Sequence, residues 1–153
     1  MAAEISVSRD DIDGIAAWTV IRAARELARM LAHELAPLEI SPVEFGVLAQ
    51  LAAGDGLSQA ELARSVGVRP QSMTALVSGL EGRTLIARGS DRGRGRLSQI
   101  RLTSEGRALL ARAYPVVRAS NGWFGDDTAG VDAVRTTLMP LLGPTSEPAR
   151  DVP

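Results

Sequence analysis

The chain has 153 residues, enough for one domain or for one domain with an added dimerising element. Apolar residues make up 45% and aromatics only 3%, so the core must be built from Leu, Val, Ile and Ala, a composition that favours packed helices over a sandwich or barrel. Cysteine is absent, which excludes a disulfide framework, a thiolate metal site and a thiol redox sensor, and the formal charge is only −1 although all 17 basic residues are arginine.

Residues 1–10 carry an early Glu4 and no basic-then-apolar pattern, so they read as a disordered N-terminus and not as a signal peptide. A helix is expected over 11–36: Ile21, Ala24, Leu27, Leu31 and Leu35 recur at spacings of three and four, and Pro37 ends it. Trp18, Val20 and Met30 widen its apolar face beyond one stripe, as in a helix that meets both its own domain and a partner subunit. Ser41-Pro42-Val43-Glu44 opens a second helix with a capping box and a proline at the first helical position. Phe45, Leu48, Ala49 and Leu51 or Ala52 form its expected buried stripe, and Gly54-Asp55-Gly56 stops it.

Ser58 and Glu61 repeat the capping box, with Leu57 and Leu62 as its hydrophobic staple, and this short helix ends at Gly67. Pro70 begins another helix to Glu81, amphipathic through Met73, Leu76, Val77 and Leu80. Its other face carries Gln71, Ser72, Thr74, Ala75, Ser78 and Gly79, without the Glu and Lys that usually decorate a solvent face. Two short helices joined by a tight turn form a helix-turn-helix, whose second helix can enter a major groove. Gln pairs with adenine edges, Ser and Thr with either kind of base edge, and Ala or a Thr methyl with thymine methyl groups.

Strands are expected at 85–88 and 97–102, joined through GSDRGRGR, which makes a hairpin wing. Arg92, Arg94 and Arg96 alternate there with Gly93 and Gly95, an arrangement that can bring guanidinium groups to a narrow minor groove or to phosphates. Residues 57–118 hold eleven arginines against four acidic residues, a local charge of +7, and the remainder of the chain carries −8. A basic middle between acidic ends is the footprint of a polyanion binder. A further helix, kinked by Pro115, is expected from 104 to about 121, then a break, and a last helix from Thr128 whose Val131, Val134, Leu138 and Leu141 form a seam for a partner helix. Pro140 is placed to end or kink that helix, and 143–153 reads as a disordered tail.

The motifs LSQAELARSVGVRPQSMTALVSGLE (57–81), LIAR (85–88) and IRLTSEG (100–106), in this order of elements, resemble the MarR (multiple antibiotic resistance regulator) family of winged-helix transcription factors over residues 11–142. The resemblance implies a mainly α fold with a small β-hairpin wing: a winged helix-turn-helix at 42–103, flanked by dimerising helices at 11–36 and 104–142. It further implies a homodimer with interlocking terminal helices, a double-stranded DNA operator, and release of DNA when a small, often aromatic, ligand binds between the two regions. Carried onto this chain, the DNA contacts are Arg69, Gln71, Ser72, Thr74, Ala75, Ser78, Arg88, Arg92, Arg94 and Arg96. Trp18 and His33, with Trp123, are the candidate lining of a ligand pocket, against a plainer role in the core or dimer contact. The chain departs from the family at Arg69, commonly Ser, at Ala75, often Arg, and in the wing. There Arg94-Gly95-Arg96 stands for Asp-Arg-Arg, leaving minor-groove contact to Arg92 or Arg94.

Other classes have little to build on. His33 is the only histidine, no Cys or His pair supplies a transition-metal site, and without lysine there is no Walker loop, so neither enzyme nor cofactor is expected. The Arg-Gly run lacks the interleaved aromatics of a single-strand RNA binder. The alternative is a winged-helix module acting through protein contacts, which would not call for a strongly basic wing. No apolar run is long enough to span a bilayer, and a cytoplasmic regulator is expected.

Overall fold

The computed structural model describes residues 5–54, 56–89 and 98–143. Helix starts at 1–10 and 11–36 differ from expectation. Ser8 caps a short helix α1 (Arg9–Asp13), exchanging bonds with Asp11, whose carboxyl is held below its usual range chiefly by the Ser8 hydroxyl and then by the Ser8 amide. Gly14 ends α1, and α2 (Ala16–Leu35) begins after Ile15, which caps with no side-chain bond. The Gly14 interruption is the local cause: glycine costs helix interiors about 1 kcal/mol, and the Ser8 box starts a turn of its own.

The two central capping boxes form as the sequence requires. Ser41 and Glu44 open α3 (Pro42–Ala53), and Ser58 and Glu61 open α4 (Gln59–Val66). Gly67, at φ 71°, turns the chain toward α5 (Pro70–Gly82). Strands β1 (Ile86–Arg88) and β2 (Ile100–Leu102) pair antiparallel, Ile86 opposite Leu102 and Arg88 opposite Ile100. Leu57 adds a third edge to this small sheet, its amide and carbonyl bonding the Ile100 carbonyl and amide at 3.1 and 2.8 Å. Then come α6 (Ser104–Ala119), which continues through Pro115, a 3-10 turn (Ser120–Phe124), α7 (Thr128–Leu138) and a final 3-10 turn (Met139–Leu142) containing Pro140.

One apolar cluster gathers α3, α4, α5 and both strands: Val47, Leu48, Leu51, Leu62, Met73, Val77, Leu80, Ile86 and Ile100 are buried in it. Two expectations for α3 change here. Val47 takes a central place, whereas Ala52 is exposed and Phe45 packs instead on a second cluster around Leu35, Ile40 and Ala113. α5 is held by Met73, Val77 and Leu80, each contributing about 1.5–3 kcal/mol on burial. Its ion pairs are partly exposed and contribute under about 1 kcal/mol apiece, so packing decides its orientation. Leu109 packs on both clusters and joins the helix-turn-helix to the long helices.

The junction between α5, β1 and α6 is the tightest point. Thr84 sits at φ 59°, a left-handed conformation that costs a non-glycine residue about 1–2 kcal/mol. It is held there by its amide on the Glu81 carbonyl at 2.9 Å and by its own carbonyl, which accepts the Thr103 hydroxyl at 2.6 Å. The same Thr103 oxygen caps α6 by accepting the Gly106 amide at 3.0 Å. A Cβ on Gly106 would lie 2.0 Å from the Leu85 carbonyl oxygen, so no other residue fits without moving backbone. Gly106→Ala is therefore expected to destabilise the fold by ~3 kcal/mol or more in urea unfolding, at the top of the overpacking range. Gly79→Ala, at a helical position with open space around it, should shift the midpoint the opposite way by up to about 1 kcal/mol.

Candidate nucleic-acid interface

The exposed side of α5 gathers the sequence-predicted reading residues on one face. Gln71, Ser72, Thr74, Ala75 and Ser78 are all exposed, opposite the buried Met73, Val77 and Leu80. A Cβ added at Gly79 or Gly82 would meet nothing within 4 Å, so this face stays low along its length. Arg69 occupies the cap position of α5 without a side-chain capping bond and is exposed. The first-turn amides of α5 that follow it have no intrahelical partner, a place that favours an anion.

α4 braces α5 by a polar chain as well as by packing. The Gln59 amide nitrogen donates to the Thr74 hydroxyl at 2.8 Å, and that hydroxyl donates to the Pro70 carbonyl at 3.2 Å. On its other side the Gln59 carbonyl oxygen accepts Arg88 Nη2 at 3.4 Å, while Arg88 Nε lies 3.3 Å from Glu81 Oε2. Arg88 thus stands at the edge of the wing strand, on the same side as α5, and is partnered by Glu81 in the free protein. At the far end of α5, Arg83 pairs with Glu44 of α3 at 3.6 Å. Sequence reasoning assigns no role to Gln59, Arg83 or Gly106. Gln59 meets Arg88 across 29 positions, a separation with no periodicity to betray it, whereas a glycine in the first turn of a capped helix was a visible flag.

Arg92, Arg94 and Arg96 lie outside the described residues. The strands on either side of them in the chain are placed: Ile100 and Leu102 face inward, Arg101 is exposed, and the Gly89 amide bonds the Gln99 carbonyl at 2.7 Å just beyond the paired residues.

The effector residues separate. Trp18 and His33 stand fifteen positions apart on α2, about 22 Å along its axis, so they cannot share one small ligand within a protomer. The Trp18 ring is covered by Arg25, whose Cζ is 6.0 Å from the ring centre, and His33 is exposed. Two other concavities flank α7. One, of about 530 Å³, is lined by Phe45, Tyr114, Arg118, Phe124 and Arg135 among others. The second, of about 370 Å³, is an apolar groove between α2 and α7 with Val20, Leu27, Phe124, Val134 and Leu138 on its walls. Neither Trp18, His33 nor Trp123 lines either one.

The MarR family's sequence model matches residues 38–97, which span α3, α4, α5 and β1. An HTH-type transcriptional repressor of Mycobacterium tuberculosis is 38% identical over 104 residues, covering 68% of this chain and 75% of the relative. The chain belongs to the MarR family. Solved MarR-family folds match nearly end to end. The repressor CouR bound to a 23-mer DNA duplex is 27% identical, with a TM-score of 0.77 over 90% of this chain and 99% of that one. CouR from Rhodococcus jostii RHA1 bound to p-coumaroyl-CoA gives 26% and 0.77 over 90% and 98%. A MarR-family protein of M. tuberculosis in complex with salicylic acid gives 33% and 0.66 over 86% and 98%. The MarR fold expected from the sequence, mainly helical with a two-stranded hairpin, is the one observed. Among the described residues no helix is long and apolar enough to cross a membrane.

In this MarR-family chain the start of α4 also carries a pH dependence. The Glu61 carboxylate accepts the Ser58 amide at 2.7 Å, and this bond, followed by the Ser58 hydroxyl, holds its pKa below the usual 4.5. A lowered folded-state pKa stabilises above the unfolded value and loses that contribution as pH falls through the folded value. Comparing wild type with Glu61→Gln by urea unfolding should therefore show wild type the more stable at pH 7. The gap should close steadily below pH 4.5 as the carboxylate takes up its proton.

Proposed function

We propose that this chain is a cytoplasmic transcriptional repressor that binds a pseudo-palindromic operator as a homodimer and responds to a small-molecule ligand. The observation that carries the reading is the outer face of α5: uncharged and short-chained, flanked by Arg69 at its start and by the strand edge bearing Arg88. Such a face can approach base edges closely, and the flanking guanidinium groups suit phosphates, so position and reading are divided between different residues. Gln71, Ser72, Thr74, Ala75 and Ser78 are assigned to the major groove. Arg69, Arg88 and Arg96 are assigned to the backbone, and Arg92 or Arg94 to the minor groove.

Dimerisation is supported by apolar surface that one protomer leaves uncovered. Ile12, Ile15, Trp18, Val20 and Ile21 of the N-terminal helices are exposed, as are Tyr114, Met139, Leu141 and Leu142, the last two at 77% and 76%. So much exposed Ile and Leu at both chain ends marks an association surface. The two half-sites should then lie about one helical turn, ~34 Å, apart. Ligand response is supported by the concavity of about 530 Å³ beside α7, where Phe45 and Ala49 of α3 meet α6 and α7 at the border of the long helices and the DNA-reading unit. CouR and the salicylate-bound relative carry organic ligands, and an aromatic effector is the class to test first. Chemistry on a substrate is not part of the reading.

Sedimentation at micromolar concentration should give a dimer; a stable folded monomer contradicts the proposal. Operator fragments selected from the source genome should share a palindrome. On such an operator, Arg92→Ala with Arg94→Ala is expected to weaken binding to operator and scrambled duplex together. It should also flatten the log–log salt slope by about one unit for each phosphate that is no longer neutralised. Gln71→Ala should instead change which bases are tolerated, at roughly 1–3 kcal/mol. Unchanged affinity and slope in the double wing variant would remove those arginines from the DNA interface.

A further inference from the structure

The polar chain through Gln59 has a direction, and that direction decides how Thr74 meets DNA. Arg88 has donors only and Glu81, as a carboxylate, acceptors only, so the pair fixes one end of the chain. Facing Arg88, Gln59 must present its carbonyl oxygen, which turns its NH2 toward Thr74. A flipped amide would set NH2 against a guanidinium. The Thr74 hydroxyl must then accept, and its single proton goes to the Pro70 carbonyl. Guanine N7 and O6, adenine N7 and thymine O4 all require a donor in the major groove. Thr74 has no proton left for them unless it breaks the bond to Pro70. What it offers freely is its methyl group and one lone pair.

We infer that Gln59 is a positioning residue for base reading: by holding the Thr74 hydroxyl as an acceptor it makes Thr74 read through its methyl group, and the polarity is set by Arg88 on the wing strand. This inference rests on the regulatory reading above. Gln59 itself is half-buried at the first position of α4, with both ends of its amide engaged within the protein, so its effect passes through Thr74. A methyl reader selects thymine, or the methylated edge of its base pair, in place of a hydrogen-bonding pattern.

The test begins on the free protein. NMR should show the Gln59 side-chain amide protons close to Thr74 and shifted from free-amide values, and Thr74→Val should return them to those values. Failure of that step overturns the inference and leaves the regulatory reading standing. Selection from a random duplex library then follows for wild type, Thr74→Val, Thr74→Ser, Gln59→Ala and the Gln59→Ala/Thr74→Val double variant. Thermal melting of each checks the fold. Thr74→Val, which keeps the methyl and loses the hydroxyl, should retain the selected base and bind within about 2-fold of wild type. Thr74→Ser should lose the base preference and about 4-fold in affinity per half-site, the value of one methyl-sized group. Gln59→Ala should broaden selection at the same base in the Thr74 background and leave it unchanged in the Thr74→Val background, a coupling that simple loss of packing does not produce. The reverse pattern, with Ser keeping the preference and Val losing it, overturns the inference, because the hydroxyl would then be the reader. An equal loss from Gln59→Ala in both backgrounds overturns it too, since Gln59 would be acting independently of Thr74. If wild type itself enriches no motif, the regulatory reading falls and the inference with it.

Discussion

The contact between the Gly106 backbone and the Leu85 carbonyl sets the geometry on which the DNA-reading unit depends. At that point α5 has just ended, β1 is beginning and α6 is starting, so three directions of chain are tied within one turn. The Thr103 side chain completes the tie by donating to Thr84 and capping α6. Because the approach is too close for any Cβ, α6 cannot slide or rotate on the sheet without breaking these bonds. Leu109 and Leu110, one turn further on, then pack on the helix-turn-helix core. The left-handed Thr84 is part of the same device: its strain is sustained by bonds on both sides of it.

The interface proposed on that frame separates two kinds of energy. Arginine charge gives long-range attraction to any duplex, which salt screens, while short uncharged side chains give discrimination only at contact. Placing both on one surface would let long guanidinium groups hold the backbone of α5 away from the bases. In this chain they stand at the margins: Arg69 at the start of α5, Arg83 drawn back to Glu44, and Arg88 drawn to Glu81 and Gln59. Exposed ion pairs of this sort contribute little to stability.

How much was legible follows from the range of each interaction. The amino-acid order by itself determined the helices with capping boxes at Ser41/Glu44 and Ser58/Glu61, the glycine stop at Gly67, and the alternation of Ile100 and Leu102 about Arg101. It also determined which face of α5 is buried, since Met73, Val77 and Leu80 follow the helical period. These are interactions between residues a few positions apart, where spacing and residue type suffice. The tertiary structure alone decided what depends on distant partners: Leu57 as a third strand edge on Ile100, the exchange of roles between Val47 and Phe45, and the Glu81–Arg88–Gln59–Thr74 chain. The distance between Trp18 and His33 is of the same kind, because membership of one helix says nothing of closeness when fifteen residues of rise intervene. Short-range chemistry writes elements and faces into the sequence; which side chains meet is decided only when those faces pack.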